Sequence, residues 1–156
     1  MNNRRQFIST ASAAALTGHL RAESQPGQKL KVGVMGLSRG QAHINNFAKL
    51  EGVEIAYVCD VDQDRLAAGA KYTADRQNGN LPKAVTDFRR ILQDKEVDIL
   101  SIAAPNFWHA PATILACDAG KHVYVEKPGS HNPREAELIV AAAQRTDRKV
   151  QMGNQR

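Results

Sequence analysis

The sequence predicts an α/β domain: a doubly wound parallel sheet with helices on both faces. Three observations lead there. Short runs rich in Val and Ile alternate with stretches of helical periodicity about six times after residue 29. The runs carry few polar residues, as expected of strands covered on both sides. Parallel strands also need crossover helices, and the intervening segments are long enough to supply them.

The elements follow in order. Residues 29–35 form a Val-rich strand, and residues 40–50 place Ala42, Ile44, Phe47, Ala48 and Leu50 at near-helical spacing. A second strand covers 53–59 and a second helix 62–76; "QNGNLP" at 77–82 is a turn-rich loop. A short strand is expected at 84–86, after which Thr86 or Asp87 caps a helix running to about Gln93. Residues 97–103 read as a buried strand and 108–119 as a helix with Gly120 at its C-cap. A strand at 122–126 precedes Asn132-Pro133-Arg134-Glu135, where Asn132 caps, Pro133 takes the first helical position and Glu135 completes a capping box. The last strand is 149–152.

Composition narrows the function. The chain has 156 residues, 42% hydrophobic and 24% charged, which suits one globular domain with a core. Its net charge is +5, but Arg4, Arg5 and Arg21 against Glu23 place +2 of that in the first 28 residues. The remaining basic residues are scattered and aromatics are only 5%, so nucleic acid is not an expected partner. Cys59 and Cys117 lack C-x-x-C spacing and read as buried thiols; no His/Cys cluster has metal-ligand spacing, so no metal is expected.

Residues 1–28 read as a leader outside the fold. Arg4-Arg5 precede Phe7-Ile8 and a mild apolar run ending at Leu20, too short to span a bilayer. The pattern resembles a twin-arginine signal peptide, so the mature protein is expected in the periplasm or exported, without membrane insertion. Cleavage is expected near Ala22, although no clean A-x-A site is visible.

The stretch "KVGVMGLSRG" at 31–40 admits two readings. Gly36-x-Ser38-x-Gly40 spells the elbow that presents a nucleophilic serine in α/β-hydrolases. It also suits a dinucleotide loop in which a strand turns through glycine into a helix. The hydrolase reading needs an acid and a histidine meeting the serine, whereas Asp87, Asp94 and Asp98 look like caps and surface acids, and no H-G-G-G loop is present. The dinucleotide reading needs an acid closing the second strand about 20 residues on. Asp60 ends "AYVCD", 24 residues after Gly36. The loop Gly36, Leu37, Ser38, Arg39, Gly40 is therefore assigned to a pyrophosphate and Asp60 to the adenosine ribose. Asp60 favours NAD over NADP, with Arg39 and Arg65 as the counterweight able to meet a 2′-phosphate.

Further on stand "APNFWHA" (104–110), "AGKHVYVEKP" (119–128) and "GNQR" (153–156). With these pieces the chain resembles the Gfo/Idh/MocA oxidoreductases over essentially all of 29–156; it departs in the glycine loop and at Ala104, where members commonly carry Thr. The resemblance implies a Rossmann domain binding NAD or NADP. It also implies hydride transfer between nicotinamide and a hydroxyl-bearing carbon of a sugar, inositol or related polyol. Pro105, Asn106 and His109 would line the cofactor, Glu126 and Lys127 would stand beside the nicotinamide, and Asn154 and Gln155 would lie nearby. A second, α+β domain carrying most of the substrate pocket, and a homo-oligomeric full-length form, are implied beyond this chain. A lysine at a strand tip suits a developing alkoxide, so Lys127 is the catalytic candidate, and the Lys127–Pro128 bond is a candidate for cis. His109 in a first helical turn has capping or packing as its alternative, His122 reads as structural, and Trp108 reads as packing. Two alternatives stand beside the dehydrogenase reading. One is a glycoside-cleaving relative that uses NAD for transient oxidation, disfavoured by the Glu-Lys-Pro motif. The other is a non-catalytic dinucleotide-binding fragment.

Overall fold

A computed structural model describes residues 29–154. The leader with Arg4 and Arg5, and Gln155, lie outside the described residues. Six parallel strands form one sheet in the order β3-β2-β1-β4-β5-β6. They are β1 (Leu30–Met35), β2 (Val53–Cys59), β3 (Lys83–Val85), β4 (Ile99–Ile102), β5 (His122–Glu126) and β6 (Val150–Gly153). The helices are α1 (Gly40–Phe47), α2 (Gln63–Ala74), α3 (Arg89–Gln93), α4 (His109–Asp118) and α5 (Pro133–Thr146), with a 3-10 turn at Asn106–Trp108 before α4. This strand order is the Rossmann order, with its reversal point between β1 and β4.

Alternation along the strands divides the core, with one irregularity in β2, where the register against β1 shifts between Ile55 and Tyr57 and puts Ile55 and Val58 on the same face. Met35, Tyr57, Cys59, Leu100, Ile102, Val123 and Val125 face α3, α4 and α5, packing with Ile91, Ala112, Ala116 and Ala142. Val32, Val34, Ile55 and Val58 face α1 and α2, packing with Leu37, Ile44 and Leu66. Both cysteines are buried and free. Each fully buried aliphatic side chain contributes roughly 1.5–3 kcal/mol, so both faces hold the helices firmly.

Local signals explain most boundaries. Asp62 caps α2 by accepting from the Arg65 N–H at 3.1 Å. Asn132 caps α5 by accepting from the Glu135 N–H at 2.9 Å, while Glu135 Oε2 accepts from the His131 N–H at 2.7 Å. Helix α1 stops at Phe47 rather than Leu50, because the chain turns back through Gly52 at φ +76° to start β2. Strand β3 lies one residue earlier than expected, at a sheet edge with a single neighbour to fix its register. Strand β4 is shorter than 97–103: Val97 and Ala103 are buried but lie outside the ladder.

Candidate functional site

Two cavities lie side by side at the carboxyl ends of the strands. The first, about 560 Å³, is walled by the loop Gly36–Arg39, by Asp60 and Arg65, by Thr86–Arg89 and by Pro105, Phe107 and Trp108. The second, about 470 Å³, is lined by Asn106, His109, Glu126 and Lys127. Arg39, Ala103 and Ala104 line both, so the cavities meet over the point where the strand order reverses.

The first cavity is shaped by close backbone approach. Gly36 sits at φ +88°, and a Cβ there would lie 2.6 Å from the carbonyl carbon and oxygen of Ala103 and from the nitrogen of Ala104. Only glycine fits between β1 and the end of β4. Beyond it the chain enters α1 at Gly40, with Arg39 at the N-cap, so the helix's free N–H groups face the loop. Ser38 is exposed at the cavity, and Leu37 turns its side chain into the core while its N–H donates to Asp60 Oδ2 at 2.8 Å. Asp60 Oδ1 accepts from the Asp62 N–H at 3.0 Å. The carboxylate is thereby fixed, and each oxygen keeps a further lone pair for a ribose hydroxyl. Arg65 pairs with Asp62 at 3.6 Å on the same wall. The glycine cradle, the helix N-terminus and the anchored acid together fit an adenylate-bearing dinucleotide.

The second cavity carries the charge. Glu126 is buried, with His43 Nε2 at 2.9 Å and Arg39 Nε at 3.6 Å from its Oε1. Burial works to raise its carboxyl. The hydrogen bond to His43, the electrostatic pull of His43 and Arg39 and the Lys127 N–H outweigh that and hold it below its ordinary value. Lys127, next in the chain, is exposed at the cavity, and its bond to Pro128 is cis. His109 is buried: Nδ1 lies 2.6 Å from the Pro128 carbonyl oxygen and Nε2 2.9 Å from that of Ala104. It therefore joins the loop after β4 to the loop after β5 as well as lining the cavity. Asn106 lies in the 3-10 turn facing the same space, with Pro105 just before it in the first cavity. Asn154 is exposed past β6, outside both cavities, with its N–H donating to the Met152 carbonyl.

Two further residues of the sequence reading make defined contacts. Trp108 packs edge-on against Phe88, ring centroids 5.7 Å apart, while also lining the first cavity. His122 Nδ1 accepts from the Lys149 N–H at 3.0 Å, at the opposite end of the sheet from the site.

Sequence reasoning missed His43 and Ser101. His43 lies on the buried face of α1 beside Ile44, with Nδ1 2.8 Å from Ser101 Oγ on β4. Its partners are 58 and 83 residues away, so no local spacing announces them. The signal available was a polar side chain on an apolar helix face, which must find partners when buried. A serine–histidine–carboxylate line does exist, but through Ser101, which is fully buried and has no access for a substrate, and not through Ser38.

Comparison with known proteins agrees with this geometry. The family model described as an oxidoreductase family with an NAD-binding Rossmann fold matches residues 30–154. A glycosyl hydrolase family 109 protein of Shewanella sp. (strain W3-18-1) is 34% identical over 128 residues, covering 79% of this chain and 28% of that protein. One from Shewanella pealeana is 31% identical over 179 residues, covering 96% of this chain and 39% of its own length. Among solved structures, scyllo-inositol dehydrogenase from Lactobacillus casei with NAD(H) and scyllo-inositol bound aligns with a TM-score of 0.71 at 26% identity, covering 81% of this chain and 36% of that one. An NAD-binding oxidoreductase from Klebsiella pneumoniae aligns with a TM-score of 0.64 at 29% identity, covering 80% and 34%. The chain thus spans between about a quarter and two fifths of the length of these proteins. No helix among the described residues is long and apolar enough to cross a membrane.

Proposed function

The chain belongs to the Gfo/Idh/MocA oxidoreductase family, and from that premise we propose that the whole protein is an NAD(P)-dependent oxidoreductase acting on a hydroxyl-bearing carbon of a sugar, inositol or related polyol. The observation that carries the reading is the junction of the two cavities. One has the glycine cradle and Asp60, the other has Lys127 and Glu126, and Arg39 stands between.

Gly36, Leu37, Ser38, Arg39 and Gly40 would hold the pyrophosphate with backbone N–H groups and the start of α1. Asp60 would accept from the ribose hydroxyls, and its charge would oppose a 2′-phosphate, favouring NAD; Arg65 on the same wall is the counterweight. Pro105, Asn106 and His109 would shape the passage to the second cavity, and Asn154 would approach from β6. When bound, the nicotinamide supplies the hydride acceptor or donor. Lys127 would orient the substrate hydroxyl and stabilise negative charge developing on its oxygen. Glu126, held below its ordinary value by His43 and Arg39, would stand ionised in the same cavity.

The test is Lys127→Met in the full-length enzyme. Turnover is expected to fall about 10²–10⁴-fold with nucleotide affinity unchanged; retained turnover sinks the assignment. The same assay addresses the second reading, which the glycosyl hydrolase names of the relatives favour. A net dehydrogenase accumulates reduced nicotinamide as polyol is consumed. A glycosidase using transient oxidation releases an aglycone with no net reduced cofactor.

The leader reading completes the proposal. Arg4-Arg5 would direct folded protein through twin-arginine export to the periplasm. Changing both to lysine is expected to retain the protein in the cytoplasm, and unaltered export of that variant would refute the signal.

A further inference from the structure

A buried polar line crosses the face of the sheet beneath α1 and ends at the junction of the two cavities. It follows from register. Ser101 on β4 pairs with Tyr124 on β5, and Glu126 lies two residues further on the same face. Over them sits His43, one turn inside α1. The ring edges against Tyr124, centroids 5.2 Å apart at 77°, which fixes its plane. Nε2 then reaches Glu126 Oε1 at 2.9 Å and Nδ1 reaches Ser101 Oγ at 2.8 Å. An ionised carboxylate only accepts, so Nε2 carries a proton and donates to it, while Nδ1 and the Ser101 hydroxyl share the second hydrogen bond. Every member of the line is satisfied.

Its outer end is not buried. The Arg39 side chain is 56% exposed, with Nε 3.6 Å from the same Glu126 oxygen. An exposed arginine alone would sample many rotamers; one facing a carboxylate that cannot move is pre-organised. Arg39 also opens α1 and lines both cavities, which is where the two halves of a dinucleotide join. Without it, the charge of Glu126 would face an incoming anion.

We propose that His43 is a positioning residue for nucleotide binding: the line Ser101–His43–Glu126 holds the Arg39 guanidinium at the cavity junction, where it meets the cofactor diphosphate. The inference rests on the nucleotide-binding reading above. It assigns Arg39 to the diphosphate in place of a 2′-phosphate, and gives Glu126 a role separate from the chemistry at Lys127.

The test uses the full chain titrated with ADP-ribose, which carries the diphosphate without nicotinamide, and with adenosine, which carries neither. Arg39→Ala is expected to weaken ADP-ribose about 10-fold, the size of one charge-assisted hydrogen bond, and to leave adenosine unchanged. His43→Phe should give a selective loss of about 3–10-fold and add nothing in the Arg39→Ala background, because residues acting through one another are not additive. His43→Gln, which keeps a donor toward Glu126, should recover most of the affinity. Ser101→Ala, the mildest cut, should give a smaller selective loss and serves if His43→Phe does not fold. Equal losses for adenosine and ADP-ribose, or full additivity with Arg39→Ala, overturn the inference. Wild-type protein that binds neither ADP-ribose nor NAD takes the nucleotide reading down with it, whereas unchanged ADP-ribose binding by His43→Phe sinks this inference alone.

Discussion

Strand β5 has a buried charge at each end, and the two are handled differently. Lys121, just before the strand, is 3% exposed, and Glu126, at its far end, is 5% exposed. The Lys121 ammonium donates to the carbonyls of Asp94 and Val97 at 2.7 and 2.8 Å. Both acceptors belong to the connection between α3 and β4, so the charge serves to close the amino-terminal edge of the sheet. Glu126 instead holds His43 on one side and the half-exposed Arg39 on the other, beside a cavity. A buried charge spent on backbone acceptors stiffens a scaffold; a buried charge linked to an exposed partner can pass its fixed geometry to a ligand.

The largest expected effect breaks the closed end. Burial pulls the Lys121 ammonium below its ordinary value, with Asp94 and Asp98 pulling the other way, so the charge itself is costly. What justifies it is the pair of carbonyls it satisfies and the packing of its stem. Lys121→Ala is expected to destabilise the domain by about 2–3 kcal/mol, lowering the melting temperature by roughly 10 °C. Nucleotide affinity of the folded fraction should not change. Calorimetry with and without ADP-ribose checks both halves, and altered affinity in this variant would abolish the distinction between the two ends.

The charge lines at both ends were less legible in the sequence than the strand between them. Strands β2 and β5 fall on the expected residues, 53–59 and 122–126, because an apolar run bounded by turns and polar residues is a local signal. The cap at Asn132 and the link from Gly36 to Asp60 were readable for the same reason: each is a spacing along the chain. The charge lines were not. Nothing around Lys121 in "AGKHVYVEKP" marks it for burial, and its acceptors lie 24 and 27 residues earlier. His43 finds Glu126 across 83 residues, through a strand order that places β4 and β5 next to each other on the far side of β1. Periodicity states which face a residue occupies but not which strand lies under it. Functional polar networks built across a sheet are therefore the part of a site that a single sequence hides.

The smallest expected effect sharpens the contrast from the closed end. Asp94, whose carbonyl receives Lys121, also places its carboxylate in a cluster of its own. It accepts from the Glu96 N–H at 3.0 Å, from Tyr57 Oη at 2.8 Å and from Lys83 Nζ at 3.2 Å. These donors, the backbone N–H first and then Tyr57 and Lys83, lower the carboxyl from 3.8 to about 2. The folded chain thus binds this proton less readily than the unfolded one. The stabilisation is complete above about pH 4 and drains away as the pH falls through about 2. Because the cluster borders solvent, screening leaves only about 1 kcal/mol of it at neutral pH. Asp94→Asn should therefore be less stable than the parent by that amount near neutrality, with the gap closing between about pH 4 and pH 2. Urea midpoints measured across that range would read it. Since Asp94 belongs wholly to the scaffold end, ADP-ribose affinity should be the same in both proteins at neutral pH, so a gap in affinity there would mean that the two ends of the sheet are coupled.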